Sequence, residues 1–301
     1  MIKINNDMKT LIKQALQEDV GKGDITTNSL IPPKQQTKAI IIAKQSGVIA
    51  GLDITKAVFV ELDTNIKFKQ LVKDGDKVSA GKKIVEITGN ARAILTDERT
   101  ALNFLAHLSG IATLTRAFVD RVKPYKVNIF DTRKTTPGMR LLEKYAVKCG
   151  GGVNYRIGLW DGVLIKDNHI AVHRTSYIVH RKEKNSLAGL VEIARKKICK
   201  NIQVEIEVRN IREFRDAIKA VPDVILLDNM PISQIKNAVF IRNNILRSTK
   251  YEVRSTVLLE VSGGVNLSNV RQFAKVGVDR ISIGALTHSA KALDLSLKIV
   301  A

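Results

Sequence analysis

At 301 residues the chain is long enough for one large domain or two moderate ones, and its 45% hydrophobic and 26% charged residues are ordinary for a globular protein. Lys and Arg outnumber Asp and Glu by 49 to 29, a net charge of +20 that favours polyanionic partners: nucleic acid, an anionic membrane surface or a small multiply charged substrate. Two cysteines without a CxxC pair, an N-terminus without an apolar signal core, and apolar runs far shorter than a membrane span argue against a disulfide scaffold, a secreted protein and a transmembrane one, so a cytoplasmic chain is expected.

In chain order, Met8, Leu11, Ile12, Ala15 and Leu16 recur at helical spacing and predict a helix from Asp7 to about Gln17. Gly21–Thr27 reads as a Gly- and Asp-rich turn, Thr37–Ala43 as a strand, and Ile66–Val72 and Ile84–Thr88 as two more around a turn at Lys73–Lys77. A long helix is expected from about Thr96 to Arg121, with a break or kink near Ser109-Gly110. The first third is therefore α+β. The hairpin Val72–Thr88 resembles half of a biotinyl or lipoyl carrier domain, but offers no modifiable lysine motif at its tip and reads as scaffold.

Beyond residue 125 the rhythm changes. Short apolar runs at Val127–Phe130, Val163–Ile165, Val204–Val208, Val224–Leu227, Val257–Val261 and Arg280–Ile283 alternate with helical patterns at Leu141–Cys149, Leu187–Lys200, Ile211–Val221, Ile232–Leu246 and Leu267–Val276. Strands buried on both faces and separated by helices imply a parallel sheet, either an open doubly wound one or a β/α barrel. The polar residues favour the barrel. Asp131 and Arg133 follow the first run and Lys166 the second; Glu205 and Glu207 lie in the third, Asp228 ends the fourth, Ser262-Gly263-Gly264 follows the fifth and Gly284 the sixth. Barrel strands deliver such residues to one mouth.

The chemistry of these residues suits an anionic substrate. Asp131–Gly138 places Thr132, Arg133 and Lys134 in one loop, where Arg grips a carboxylate or phosphate bidentately and Lys adds a mobile charge. Alone, this is a solvated loop with a Pro-Gly turn; beside other cations at strand ends it is a binding loop. Gly150-Gly151-Gly152 precedes Arg156, and Lys166 stands close to His169, a potential anion ligand or proton carrier. Glu205, Glu207 and Asp228 are acids in apolar strands, where charge is costly unless paired or coordinated, and the two-residue strand period puts Glu205 and Glu207 on one face. Such carboxylates suit sugar hydroxyls or a divalent cation; with no metal-ligand spacing present, any metal is expected to arrive with the substrate. Ser262-Gly263-Gly264 and Ile283-Gly284-Ala285, at the last two strand ends, suit a phosphate. No Walker A, GxGxxG, GxSxG or HExxH pattern is present.

With these loops in order, the chain closely resembles the quinolinate phosphoribosyltransferase family. The resemblance runs through EDVGKGDITT, DERTALNFLAHLSGIAT, DTRKTTPGMRLLEKYAVKCGGGVN, DGVLIKDNHI, VEIEV, ILLDNM, LEVSGGVN and ISIGALTHS. It implies an N-terminal α/β sandwich (1–115, completed by 287–301) and an incomplete β/α barrel (116–286). It implies transfer of phosphoribosyl from phosphoribosyl pyrophosphate to quinolinate with loss of carbon dioxide, magnesium entering with the pyrophosphate substrate. It also implies a homodimer in which Arg99 reaches the partner's site, with higher assemblies open. Arg133, Lys134, Arg156 and Lys166 match the family cations that hold quinolinate's carboxylates and part of the pyrophosphate; Glu207 and Asp228 match the acids near the ribose hydroxyls and magnesium; Ser262, Gly263, Gly264 and Gly284 match the ribose-phosphate site. Lys134, Lys166, Glu207 and Asp228 are the expected catalytic groups. Thr132, Tyr155, His169, Ile283 and Ala285 complete the expected contacts.

Two departures stand out. Position 155, usually His in the family, is Tyr here, from which slower turnover or weaker quinolinate binding is expected. His173–Ala188 and Asn243–Thr256 look longer and more basic than usual, as solvated surface or a second polyanion contact. Competing readings are a same-fold paralogue acting on another heterocyclic acid, against which the intact DTRKT, GGGVN and LIKDNH segments argue, and a nucleic-acid-binding protein, for which 5% aromatic residues leave little stacking surface.

Overall fold

The computed structural model describes residues 2–176, 186–248 and 257–300. Most of the two basic stretches lies outside the described residues. The chain begins with α1 (Asn6–Val20), α2 (Ile25–Leu30), β1 (Gln36–Ala43), β2 (Gly47–Val48), α3 (Leu52–Leu62), β3 (Lys67–Gln70), β4 (Lys77–Val78), β5 (Lys83–Asn90) and α4 (Ala91–Val122). Next come β6 (Asn128–Phe130), α5 (Arg140–Cys149), β7 (Val163–Ile165), α6 (Asp167–Ser176), α7 (Leu187–Lys197), β8 (Val204–Val208) and α8 (Ile211–Ala217). The last elements are β9 (Val224–Asp228), α9 (Ile232–Ser248), β10 (Leu258–Ser262), α10 (Val270–Val276), β11 (Arg280–Ser282), α11 (Ala285–His288) and β12 (Leu295–Val300). Two compact units result: residues 1–117, 134–152 and 286–301 form the first, and 118–133 with 153–285 the second.

The first unit is a mixed α/β sandwich on an antiparallel sheet ordered β12-β1-β5-β3. Buried Ala39 and Ile41 of β1, paired in register with Ile87 and Val85 of β5, supply its apolar face. Three expectations change here. The turn after Gly21 contains a short helix, α2, because Asp24 caps it by accepting the Thr27 N–H at 2.9 Å. The long helix begins earlier, at Ala91, where the Asn90 carboxamide accepts the N–H groups of Arg92 and Ala93. Nor does it break at Ser109-Gly110: α4 is continuous through that pair. Gly110 serves close approach instead, since a Cβ there would lie 2.1 Å from the Lys291 carbonyl oxygen, and the Ser109 hydroxyl accepts the Ala50 N–H at 3.0 Å.

The expected division near residue 115 differs from the observed grouping in one stretch, residues 134–152, which packs with the first unit. Polar anchors explain why. Buried Glu143 of α5 meets His107 of α4 at 2.9 Å and accepts the Thr136 N–H at 3.2 Å. The Tyr145 hydroxyl donates to Asp74 at 2.7 Å, and the Thr287 hydroxyl donates to the Lys134 carbonyl at 2.7 Å.

The second unit holds six parallel strands ordered β6-β11-β10-β9-β8-β7. Among the described residues β6 and β7 are the sheet's two free ends, so the barrel is incomplete. Strands β7 and β8 have the bounds their apolar runs predict. Three helices are shorter than their periodicity suggests: α7 ends at Lys197, where Ile198 turns extended, α8 passes into a 3-10 turn at Ile218–Ala220, and α10 starts at Val270 because Asn266–Asn269 form a side-chain-locked turn.

Candidate active site

All six strands of the second unit run the same way, so their C-terminal ends share one edge of the sheet. That edge gathers most of the expected residues. Asp131, Thr132 and Arg133 leave β6, and Lys166 leaves β7 into the start of α6. Glu207 is the penultimate residue of β8, and Asp228 and Ser262, the last residues of β9 and β10, are paired in register. Ile283, Gly284 and Ala285 follow β11, where Ile283 donates its N–H to the Phe130 carbonyl at 3.0 Å.

Two carboxylates and a cation lie within reach of one another's charge there. Half-buried Glu207 has its pKa raised, first by burial and then by the Asp228 charge, against the opposing pull of Lys166. Arg209, one residue beyond β8, pairs with Asp167, and the two line a pocket with Asn168, Arg174, Glu207 and Glu213. Sequence reasoning missed Arg209; its place just past a strand end is the signal that could have found it. His169 has a structural bond, its Nδ1 accepting the Lys166 N–H at 3.0 Å, which fixes the turn that presents Lys166.

The glycine loop after β10 has a clear steric reason. Gly263 sits at φ +93°, and a Cβ there would meet the Asn229 carboxamide oxygen at 2.1 Å, so only glycine fits. Asn229 is itself in the left-handed region at φ 50°; its N–H bonds the Ser262 carbonyl at 3.0 Å and its side-chain amide bonds Asp228 at 3.0 Å. The two loops thus brace each other, while Gly264 faces open space. Such an uncovered backbone can receive a phosphate.

Tyr155 and Arg156 are held from the β6 side. Val153 bridges Phe130 as an added parallel rung, the Tyr155 N–H donates to buried Asp131 at 3.0 Å, and Arg156 Nη1 donates to the Gly162 carbonyl at 2.8 Å. Arg99, on α4, and Lys134, just after Arg133, are exposed residues of the first unit. Among the described residues no group of His, Cys, Asp or Glu forms a three-ligand metal cluster.

Comparison with known proteins decides the family. Residues 24–109 match the model of the quinolinate phosphoribosyl transferase N-terminal domain, and residues 111–298 match that of its C-terminal domain. The chain belongs to the quinolinate phosphoribosyltransferase family. It is 43% identical over 292 residues to a probable nicotinate-nucleotide pyrophosphorylase (carboxylating) of Methanocaldococcus jannaschii, covering 96% of each chain. It is 38% identical over 299 residues to quinolinate phosphoribosyltransferase (decarboxylating) 1b of Nicotiana tabacum, covering 97% of this chain and 82% of the relative. The solved nicotinate-nucleotide pyrophosphorylase of Francisella tularensis superposes with a TM-score of 0.85 at 41% identity, covering 99% of this chain and 98% of that one. The activity is that of a decarboxylating quinolinate phosphoribosyltransferase, a pentosyltransferase that forms nicotinate mononucleotide in NAD biosynthesis. The sandwich and six-strand barrel are the architecture of the solved quinolinate phosphoribosyltransferases.

Proposed function

We propose that the strand-end constellation of the second unit performs this reaction, with Lys134 and Arg99 of the first unit contributing. The supporting observation is the meeting of Arg133, Arg156, Lys166, Glu207, Asp228 and the Ser262–Gly264 loop at one edge of a parallel sheet. In this reading Arg133, Lys134, Arg156 and Lys166, with Thr132 and His169 beside them, bind quinolinate's carboxylates and the pyrophosphate. Ser262–Gly264 and Ile283–Ala285 receive the ribose phosphate through backbone N–H groups.

The quinolinate ring nitrogen attacks the ribose carbon as the pyrophosphate bond breaks, so no protein nucleophile is needed and positioning supplies much of the rate. Positive charge develops on the ribose, where Glu207 and Asp228 stabilise it, while the cations stabilise the leaving pyrophosphate. The bond from the ring carbon beside the alkylated nitrogen to its carboxylate then breaks, carbon dioxide departs, and the electron pair left on that carbon, stabilised by the pyridinium charge, takes up a proton to give nicotinate mononucleotide. Cations gripping that carboxylate orient it without binding it most tightly in the ground state.

Neighbouring carboxylates, with Glu207 raised in pKa by burial and then by the Asp228 charge, fit a divalent cation, whose remaining oxygen ligands would come from substrate. Glu207 and Asp228 would hold magnesium, which supplies charge neutralisation of the pyrophosphate. We assign the chain to the cytoplasm; among the described residues no helix is long and apolar enough to cross a membrane. We also propose a homodimer in which Arg99 enters the partner's site, so that the functional division follows the sandwich (1–115 with 287–301) and the barrel (116–286).

The test is direct. Enzyme, magnesium, phosphoribosyl pyrophosphate and quinolinate should yield nicotinate mononucleotide and carbon dioxide, and Arg156→Ala and Lys166→Ala should each abolish most of that yield. Full activity in both variants would move the site elsewhere. Mixing inactive Arg99→Ala with inactive Lys166→Ala should restore activity if the site is shared between subunits.

A further inference from the structure

A buried glutamate stands behind the loop that carries Lys134. Residues 134–136 each meet a side chain of the same unit. The Thr287 hydroxyl donates to the Lys134 carbonyl at 2.7 Å, Arg140 Nε donates to the Thr135 hydroxyl at 3.0 Å, and Glu143 Oε2 accepts the Thr136 N–H at 3.2 Å. The chain then makes a type II turn with Pro137 and Gly138 at its centre: Gly138 lies at φ +78°, and the Met139 N–H bonds the Thr136 carbonyl at 3.0 Å. Helix α5 follows with no side-chain cap at Met139, and Glu143, in its first turn, extends back past that residue to Thr136. Lys134, Thr136, Pro137 and Gly138 are exposed, so packing contributes little to their placement and these bonds set the course of the main chain.

We infer that Glu143 is a positioning residue for Lys134, tying the main chain two residues beyond that lysine to α4, an inference that rests on the assignment of Lys134 to substrate binding. Glu143 is fully buried, where a carboxyl persists only with partners on its oxygens. It has one on each: His107 Nε2 of α4 lies 2.9 Å from Oε1, and the Thr136 N–H is on Oε2. The loop is thereby referenced to a 32-residue helix of the first unit and not only to its own α5. Lysine is a compact charge on a flexible stem, so fixing its main chain narrows the volume its ammonium can visit. Substrate then meets a charge already near its place, and less ordering is left for the moment of binding. Without the Thr136 bond the stretch from Lys134 to the Pro137-Gly138 turn loses its link to α4, and substrate has to order it.

Steady-state kinetics of Glu143→Ala, Lys134→Ala and their double variant test this, read as kcat/KM for whichever substrate Lys134→Ala affects. Glu143→Ala should lower it roughly tenfold in the wild-type background. On top of Lys134→Ala the same change should lower it less than about twofold, because the lysine it places is already gone. Glu143→Gln keeps an acceptor for the Thr136 N–H and a polar group for His107, and should stay within about twofold of wild type. A merely structural glutamate would lower the melting temperature and reduce kcat/KM by the same factor in both backgrounds. That result, an unchanged kcat/KM in Glu143→Ala, or a Gln variant as impaired as the Ala one would overturn the inference. Should Glu143→Ala fail to fold, Glu143→Met, which fills the volume without an acceptor, decides by the same comparison. Unchanged kinetics in Lys134→Ala would instead overturn the assignment of Lys134 itself, which separates the two failures.

Discussion

The two sheets of this molecule handle charge in opposite ways. In the first unit the charged side chains of the strands sit on the solvent side: Lys38 and Lys69 flank Glu86 at 3.7 and 3.8 Å, all three partly or largely exposed, while the other face is aliphatic. In the second unit the strands carry acids inward and to their ends, with Glu205 and Glu260 buried and Glu207 and Asp228 at the edge. Exposed charge pairs contribute little to either stability or chemistry, whereas charges held in apolar strands persist only with dedicated partners. The first sheet is organised for folding and the second for binding.

The sharpest way to break this contrast is to remove an edge charge from the second unit. Glu207→Ala should lower kcat/KM by about a hundredfold or more, since it deletes a group facing developing positive charge. Its thermal midpoint should move little, because relief from the Asp228 repulsion offsets the lost contacts. A large fall in melting temperature with retained turnover would make Glu207 a structural residue. The converse applies in the first unit. Ile41→Ala, at a fully buried position of β1, should cost about 3 kcal/mol of stability by denaturant unfolding and leave the KM values of the folded enzyme unchanged.

Much of this contrast was legible from the residues themselves. Strands such as Val204–Val208 are β-branched runs bracketed by turn residues, so their bounds and the two-residue period of Glu205 and Glu207 could be read directly. The strand-end rule likewise located Arg133, Lys166, Asp228 and Ser262. What local pattern does not encode is packing between distant segments. Ser109-Gly110 looks like a helix break because glycine's usual penalty is local, whereas its reason here is a carbonyl nearly two hundred residues away in sequence. The same limit hid the grouping of 134–152 with the first unit, set by the His107–Glu143 and Tyr145–Asp74 bonds. It also hid Arg209 and Asn229, whose relevance follows from which side chains they meet.

A third test concerns the exception to the rule in the first unit. Asp97 of α4 is fully buried, neither carboxyl oxygen has a hydrogen-bond partner among the described residues, and burial, helped by Glu61, raises its pKa from 3.8 to about 8. Because the folded state holds this proton more tightly than the unfolded chain, it binds more protons between those two values. Stability from this group is therefore fully present below the ordinary carboxyl value and declines as pH rises towards about 8. Asp97→Asn should flatten that decline, with its largest gain in melting temperature on the alkaline side. If the wild-type and Asn curves run parallel across that window, the carboxyl is not the group that titrates.

The smallest expected effect belongs to the charges on the first sheet's open face. Glu86→Gln removes both ion pairs to Lys38 and Lys69, yet these long, exposed contacts are screened by solvent. The change should be within about 0.5 kcal/mol and shrink further as salt is added. Turnover should be unaffected, because Glu86 lies in the middle of β5 and outside the strand-end constellation. The measurement is paired with Glu207→Ala for that reason: two single glutamate changes, each on a strand, one expected to be silent and the other to remove most activity. Should Glu86→Gln instead destabilise the fold by several kcal/mol, the solvent-side charges of the first sheet would be structural, and the difference between the two sheets would be one of position rather than of purpose.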